Sequence, residues 1–162
     1  MEGDQWEKYC QILLRLRYPD YQQVPSRFGG DYGIEGFTCS GLTFQCYCPE
    51  EDPGGIDLYN KQRDKITDDI NKLIKNASAI SSLGAGTIQE WHFLTPDFNH
   101  KQLLSHCRVK EAEVLSQNLK MVHSEFRIYI KTEDDYIPER QIYIGTGSIE
   151  SSLLAKSLPR VI

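Results

Sequence analysis

Apolar residues recur every three or four positions near the start of the chain. An α-helix turns once every 3.6 residues, so side chains at this spacing lie on one face. Asp4 precedes the series, where it can cap the first turn. The pattern predicts a helix over residues 4–17. The face expected to be buried consists of Trp6, Cys10, Leu13 and either Leu16 or Arg17.

The period of the pattern changes to two after an irregular link, YPDYQQVP. Two strands are predicted, over 33–39 and 42–48, and the Ser40-Gly41 pair between them is typical of a hairpin turn. Successive side chains of a strand point to opposite faces of the sheet. One face of the second strand is expected to carry Leu42, Phe44, Cys46 and Cys48, and the other face Thr43, Gln45 and Tyr47.

The longest helical pattern covers residues 57–77. Its predicted buried stripe is Tyr59, Ile66, Ile70, Leu73 and Ala77. The next predicted elements are a strand over 88–96, a helix over 99–118 and a strand over 125–132; QIYIG then suggests an edge strand and IESSLLAKSL a short helix. Helices that alternate with strands favour an α/β fold, a mixed central sheet flanked by helices, in a single domain over 1–162.

The charge balance limits the functions that the chain can have on its own. The net charge is −5, whereas a stand-alone nucleic-acid binder is normally basic, because neutralising phosphates supplies most of its affinity. A small nuclease domain can still be acidic, because its carboxylates hold a cation. We therefore expect a partner protein or an additional domain to bring any nucleic acid to it. A homo-oligomer is also compatible with the sequence, and the abrupt end at SLPRVI suits the N-terminal part of a larger protein.

The chain lacks the apolar run of about 18 residues that a membrane span requires, and its N-terminus has no export pattern. We therefore expect a soluble, cytoplasmic protein without a membrane partner. Five cysteines are an odd number for a disulfide framework, so free thiols are expected. Cys39, Cys46 and Cys48 suggest zinc by their proximity, but there is no CxxC pair and the histidines lack ligand spacing. Buried strand cysteines are the favoured interpretation.

The segment from Gly30 to Cys48 contains the candidate chemistry. Asp31 and Glu35 flank a short turn, and Gln45 lies on the following strand. Cleavage of a phosphodiester requires a hard cation held by oxygen ligands, with open positions for water and phosphate. Two carboxylates and one amide carbonyl could form half of such a site.

This segment resembles the Mrr-like branch of the PD-(D/E)XK nucleases. The family has a DGGID-type stretch, a hairpin and a QxK motif; the equivalents here are DYGIE, from Asp31 to Glu35, and QCY, from Gln45 to Tyr47. A preceding helix with Glu7 and a following helix extend the resemblance over about residues 4–75. The resemblance implies a restriction-endonuclease-like core and hydrolysis of DNA, in preference to RNA, with Mg²⁺ or Mn²⁺. It also implies a role in bacterial anti-phage defence.

The resemblance assigns the ion to Asp31, Glu35 and Gln45, with Glu7 assisting through water. Two positions depart from the family pattern. Glu35 replaces the usual aspartate, which lengthens the ligand by one methylene, and Tyr47 replaces the lysine that orients water and offsets charge in the transition state. A substitute lysine is expected from the following helix.

The candidate substitutes are Lys61 and Lys65, which are one helical turn apart. We favour Lys65, because it adjoins the predicted buried stripe and can extend toward the sheet with its stem packed.

Two other hypotheses remain open on the sequence alone. In the first, a nuclease fold that has lost its lysine serves protein assembly or nucleic-acid binding; Tyr47 and the acidic charge favour this. In the second, a helix-rich signalling domain has no site at all. Asp31 would then cap its own turn, Gln45 would be a hydrogen-bonding core residue and Tyr47 a packing residue.

Overall fold

The computed structural model describes residues 2–26, 30–49 and 55–151. Within these ranges, five strands form one sheet in the order β1-β2-β3-β4-β5. The elements are α1 (Gly3–Arg17), β1 (Gln22–Gln23), β2 (Gly36–Phe37), β3 (Leu42–Cys46), α2 (Gly55–Ile80), a π-helical turn (Ser81–Ala85), β4 (Ile88–Leu94), α3 (Gln102–Ser116), β5 (Val122–Lys131), a 3₁₀ turn (Glu133–Tyr136) and α4 (Ile137–Ser151).

The sheet is mixed. Strands β1, β2 and β3 pair antiparallel, whereas β3, β4 and β5 pair parallel through the helical crossovers α2 and α3. The predicted α/β class with a mixed central sheet and flanking helices is confirmed, and the architecture is consistent with a restriction-endonuclease-like core. In the described parts of the chain, no helix is both long and apolar enough to cross a membrane.

Strand β3 separates two apolar clusters, one on each face of the sheet. Phe44 and Cys46 pack with α1, in a cluster that also contains Trp6. The opposite cluster lies under α2 and α3, and Tyr47 packs against it. The alternation predicted for this strand is therefore confirmed.

The two helices nearest this strand also agree with their predictions. Trp6, Cys10 and Leu13 of α1 are buried, and Leu16 is half-buried. On α2 the buried residues are Ile66, Ile70, Leu73 and Ala77, with Tyr59 half-buried beside them. The capping prediction was wrong in detail: Glu2 is the N-cap of α1 and forms a capping box with Gln5, and Asp4 lies in the first turn.

The predicted irregular link contains a short strand. Gln22 and Gln23 pair with Phe37 and Gly36, so β1 adds an edge to the hairpin. The hairpin strands are antiparallel as predicted but shorter than the predicted ranges. Both residues of β1 are glutamine, so the strand has no alternation of apolar and polar side chains that the sequence could reveal. Only its pairing with β2 identifies it as a strand.

The predicted edge strand at QIYIG is wrong, because this segment lies within α4. Thr132 caps the preceding turn by accepting a hydrogen bond from the Asp134 amide. Contacts with α1 then fix the helix: the Tyr9 and Tyr143 rings are 5.1 Å apart, and Arg17 lies 2.7 Å from the Glu139 carboxylate. The helix predicted in IESSLLAKSL overlaps α4 up to Ser151, and its remainder lies outside the described residues.

Gly33 joins the loop before β2 to both the helix and the sheet. Its φ is +81°, and a Cβ atom there would lie 2.2 Å from the Asp69 carbonyl oxygen of α2. The Trp91 indole N–H donates to the Gly33 carbonyl at 3.0 Å, within the core. Glycine is required at this position for its positive φ and for its lack of a side chain.

We predict that Gly33→Ala destabilises the protein strongly, by more than the roughly 1–3 kcal/mol of backbone strain alone, because the new methyl group meets the Asp69 backbone. Gly30→Ala is the matched control: Gly30 also has a positive φ, +83°, but no atom of the described residues lies within 4 Å of a Cβ placed there. Urea unfolding of the two variants measures the difference. Equal free energies of unfolding would contradict the close contact at Gly33.

Candidate functional site

Two carboxyl groups from different elements meet beside the sheet. Glu7 lies on α1, and Glu35 comes directly before β2; their side chains are within hydrogen-bonding reach of each other. The Glu35 backbone is fixed on both sides, because its N–H donates to the Phe44 carbonyl at 2.6 Å and its carbonyl accepts from the Val24 N–H at 2.8 Å. Glu7 therefore lies beside Glu35, and its participation in ion binding remains a prediction.

Burial raises the pKa of Glu35 to about 8, and the neighbouring Glu7 carboxyl adds to this rise. Asp31 also raises the pKa of Glu35, whereas Lys65 lowers it. Two acidic groups and one lysine therefore act on the Glu35 carboxyl. The raised pKa favours the protonated form of Glu35, which relieves the repulsion between two close carboxylates.

Asp31 has a structural contact of its own. Its Oδ1 accepts a hydrogen bond from the Gly33 N–H at 3.0 Å, the arrangement of an Asx turn. Its charge also raises the pKa of both Glu35 and Asp69. Asp31 thus caps the loop and contributes negative charge to the site, and its role as a metal ligand remains a prediction.

Lys65 is placed at this acidic group, as favoured for the substitute lysine. Its Nζ lies 3.2 Å from Asp69 Oδ2, and its side chain is 29% exposed. Lys61, one turn earlier on α2, is exposed, and it has no ion pair within the described part of the chain. The structure brings Lys65 to the carboxylates and leaves Lys61 outside.

Gln45 is completely buried and contacts the site through Asp69. Its Nε2 donates to Asp69 Oδ2 at 3.0 Å, and its Oε1 accepts from the Cys46 backbone N–H at 3.2 Å. Both polar atoms of the amide therefore have protein partners. A direct contact from Gln45 to a metal ion remains a prediction, and its observed function is to hold Asp69.

Asp69 belongs to the site although sequence reasoning missed it. The residue is fully buried on α2, and Lys72 Nζ lies 3.7 Å from its second oxygen. Burial raises its pKa, and the Lys65 charge opposes that rise. The spacing along the helix could have identified it. Asp69 follows Ile66 by three residues and precedes Leu73 by four, so it lies on the buried face of α2.

Tyr47, at the position of the family lysine, is used in packing. Its ring lies 5.8 Å from that of Phe93, against the cluster under α2. This position therefore provides an aromatic contact in the core, consistent with the packing interpretation made from the sequence.

The donor atoms at the site are all oxygens, which suits a hard cation such as Mg²⁺ or Mn²⁺. Among the described residues, however, no three His, Cys, Asp or Glu side chains are arranged so that they could hold a metal ion together. The Glu7 and Glu35 carboxyls, with the charge of Asp31 acting on Glu35, supply oxygen donors and negative charge of the kind that a hard cation binds.

All five cysteines are free thiols, and the described residues contain no group of three His, Cys, Asp or Glu side chains that could hold zinc. Of the three cysteines considered for zinc, Cys46 is buried, Cys48 is half-buried and Cys39 is exposed, so the prediction of buried strand cysteines is wrong for Cys39. The Cys39 thiol donates to Asp20 at 2.9 Å, whereas the Cys46 thiol interacts with Cys10 inside the α1 cluster.

Comparison with known proteins adds no relative: no family model matches the chain, and no curated protein or solved structure matches it significantly.

We predict that stability falls as the pH rises from about 4.5 to about 8. The folded state binds the Glu35 proton more tightly than the unfolded state, in which the pKa is near its ordinary value of 4.5. The loss is fully developed above pH 8 and is on the order of a few kcal/mol. Urea unfolding of wild type and Glu35→Gln between pH 4 and 9 measures it.

Glu35→Gln cannot ionise at this position. Its free energy of unfolding should therefore increase relative to that of wild type as the pH rises over this range. Asp64→Asn is the control, since Asp64 is an exposed carboxylate on α2. Parallel stability curves for wild type and Glu35→Gln would contradict the raised pKa.

Proposed function

We propose that this protein hydrolyses phosphodiester bonds of nucleic acid, DNA in preference to RNA, with Mg²⁺ or Mn²⁺. The observation that carries the proposal is the partly buried Glu7–Glu35 carboxyl pair, with a half-buried lysine acting on the Glu35 carboxyl. A close acidic pair is costly to bury unless a proton or a cation neutralises it.

The proposed roles follow from the contacts. Glu7 and Glu35 would bind the ion together with water, Asp31 would add negative charge beside them, and Gln45 would support the group through Asp69. The bound ion would polarise the phosphate and lower the pKa of a water molecule. Ion binding would displace the proton from Glu35, so occupancy should increase with pH.

Lys65 would provide the positive charge that Tyr47 cannot supply. Asp69 fixes the Lys65 ammonium, and the Gln45 amide and Lys72 fix Asp69 in turn. A cation held in place offsets the negative charge that develops on the phosphate without reorganising. Asp69 is thus proposed as a positioning residue for the lysine.

A second candidate function is an inactive nuclease fold used in assembly or nucleic-acid binding. It is favoured by the packing of Tyr47 against Phe93 and by the lack of a three-ligand group in the described residues. For both candidate functions, the net charge of −5 favours a partner protein or a further domain that brings the nucleic acid to this one.

The family resemblance suggests an effector in anti-phage defence inside the bacterial cytoplasm.

Replacing the favoured lysine tests the first candidate directly. We predict that Lys65→Met lowers cleavage of plasmid DNA with Mg²⁺ or Mn²⁺ about 10²-fold or more, because a fixed cation is lost at the phosphate. Lys61→Met is the matched control, from the same helix but exposed, and should cleave normally. Lys65→Arg, which retains the charge near Asp69, should recover part of the rate. Normal cleavage by Lys65→Met would contradict the assignment.

Replacing the carboxylate separates the two candidates. We predict that Glu35→Ala abolishes cleavage and that Glu35→Gln removes Mn²⁺ binding, measured by calorimetry at pH 8, while both variants stay folded. If wild type binds Mn²⁺ through Glu35 but cleaves neither DNA nor RNA, the assembly module is the correct function. If Glu35→Ala cleaves as wild type does, the active centre lies elsewhere.

A further inference from the structure

Strand β5 forms one edge of the sheet. Its only neighbour among the described strands is β4, so the backbone groups on its other side point away from the sheet. Thr95, directly after β4, donates from its N–H to the Lys131 carbonyl at 3.0 Å, so the Lys131 backbone faces β4. Because backbone direction alternates along a strand, Arg127 and Tyr129 also face β4, and Ile128 faces outward. A further strand would pair with these outward groups.

Two side chains of α3 occupy the outward backbone groups of Ile128. The Ile128 N–H donates to Glu111 Oε2 at 2.7 Å, and the Ile128 carbonyl accepts from the Arg108 guanidinium. Arg108 and Glu111, named the edge clip, also form an ion pair at 2.9 Å. The edge clip therefore makes both of the hydrogen bonds that an antiparallel neighbour would make at Ile128.

The carboxylate of the edge clip is shielded from water. Glu111 is 6% exposed, and Arg127 of β5 is a further partner, with its Nε 3.3 Å from the carboxylate. A buried carboxylate is costly unless it is paired, and hydrogen bonds to a charged group are stronger than neutral ones. The edge clip is therefore held more firmly than an exposed ion pair, most of which contribute little.

The composition of β5 favours pairing with another strand. Val122–Lys131 contains neither glycine nor proline. Phe126, Ile128 and Ile130 are aromatic or β-branched residues, which are enriched in strands. An edge with this composition is a template for a further strand unless side chains cover it. The edge clip covers it at Ile128.

The side chains of β5 complement one another about Ile128. A two-fold axis at Ile128 would pair two copies of β5 antiparallel, with the outward Ile128 groups exchanging both hydrogen bonds. In this register opposite charges, a cation and an aromatic ring, and two apolar side chains would face each other across the strands. The facing pairs are Glu125–Lys131, Arg127–Tyr129 and Phe126–Ile130.

We propose that the edge clip closes a self-pairing surface, and that β5 pairs antiparallel with β5 of a second copy, centred on Ile128, when Arg108 and Glu111 release it. The occupant is a second copy because its β5 carries the complementary side chains in the required order. Pairing joins two five-stranded sheets into one continuous sheet. The edge clip contains no residue of the Glu7–Glu35 pair, so this inference is independent of the proposed function.

The first experiment opens the edge clip. Arg108→Met/Glu111→Met removes the polar groups and keeps apolar stems of similar length. Light scattering over a wide range of protein concentration should show this variant approaching twice the wild-type mass and returning to the wild-type mass on dilution. Lys110→Met/Glu113→Met is the matched control: this pair on the same helix is 2.8 Å apart, also three residues apart, and makes no hydrogen bond to β5 in the described chain. It should keep the wild-type mass.

Hydrogen exchange of single amides, measured by NMR in dilute protein, reports on the edge clip directly. The Ile128 N–H should exchange about tenfold faster, or more, in the opened variant, because it loses a charged acceptor. The Tyr129 N–H should keep its protection, because it faces β4. Protection of Ile128 should return at high concentration, where the second copy supplies an acceptor.

A charge exchange tests the register. In the opened variant, Glu125→Lys places two lysines opposite each other at both ends of the paired strands and should weaken association about tenfold. Adding Lys131→Glu restores opposite charges in the reverse order and should recover the association. Association through exposed apolar surface elsewhere would respond to neither change.

The proposal is overturned if the opened variant keeps the wild-type mass at every concentration, if its Ile128 amide exchanges as in wild type, or if the charge exchange has no effect. If the double variant does not fold, Arg108→Met alone decides. The Arg108 side chain is 43% exposed, and its loss frees the Ile128 carbonyl while Glu111 keeps Arg127 as a partner. This variant should associate more weakly than the opened one but more than wild type, and a mass equal to that of wild type would overturn the proposal.

Discussion

The buried carboxylate of Asp69 joins the parts of the molecule on which the candidate site depends. It is completely shielded from water, yet it accepts from the Gln45 amide of β3 and pairs with Lys65 and Lys72 of its own helix. Its backbone carbonyl also lies where Gly33 brings the preceding loop close to α2. A shift of α2 along the sheet would leave a buried charge unpaired, which costs several kcal/mol. The loop, β3 and the lysine are therefore held in one arrangement.

The Glu7–Glu35 pair, unlike Asp69, brings two groups of like charge together. Two acidic groups from α1 and the β2 entry share a partly buried position, where Lys65 only partly offsets the influence of Glu7 and Asp31. Burial favours the neutral form, so Glu35 holds a proton unless another positive charge replaces it. Repulsion between the two carboxylates lowers stability at high pH. A divalent ion bound between them would reduce that repulsion and would stabilise the folded state, because only the folded state contains the site.

Sequence periodicity predicted the parts of this fold that are defined by burial. The stripe of α2 and the two faces of β3 follow directly from apolar spacing, and these elements position Lys65 and Gln45. Strand β1 and helix α4 were missed because tertiary partners define them: Gln22 and Gln23 have no apolar pattern, and Tyr143 of α4 is oriented by Tyr9 of α1. Asp69 was missed for a related reason, since a polar residue at a core position of a helix appears in the sequence as an interruption of the apolar stripe.

Glu7 and Gln11 are four residues apart on α1 and therefore lie on one side of the helix. Glu7 raises the pKa of the Glu35 carboxyl, whereas neither amide atom of the buried Gln11 makes a hydrogen bond among the described residues. Gln11 thus departs from the rule that buried polar groups are satisfied. Trp6 follows that rule, since its indole N–H donates to the Leu94 carbonyl at 3.0 Å. Local departures from consistent packing concentrate at functional surfaces, and in α1 the departure at Gln11 lies one helical turn from the glutamate of the acidic pair.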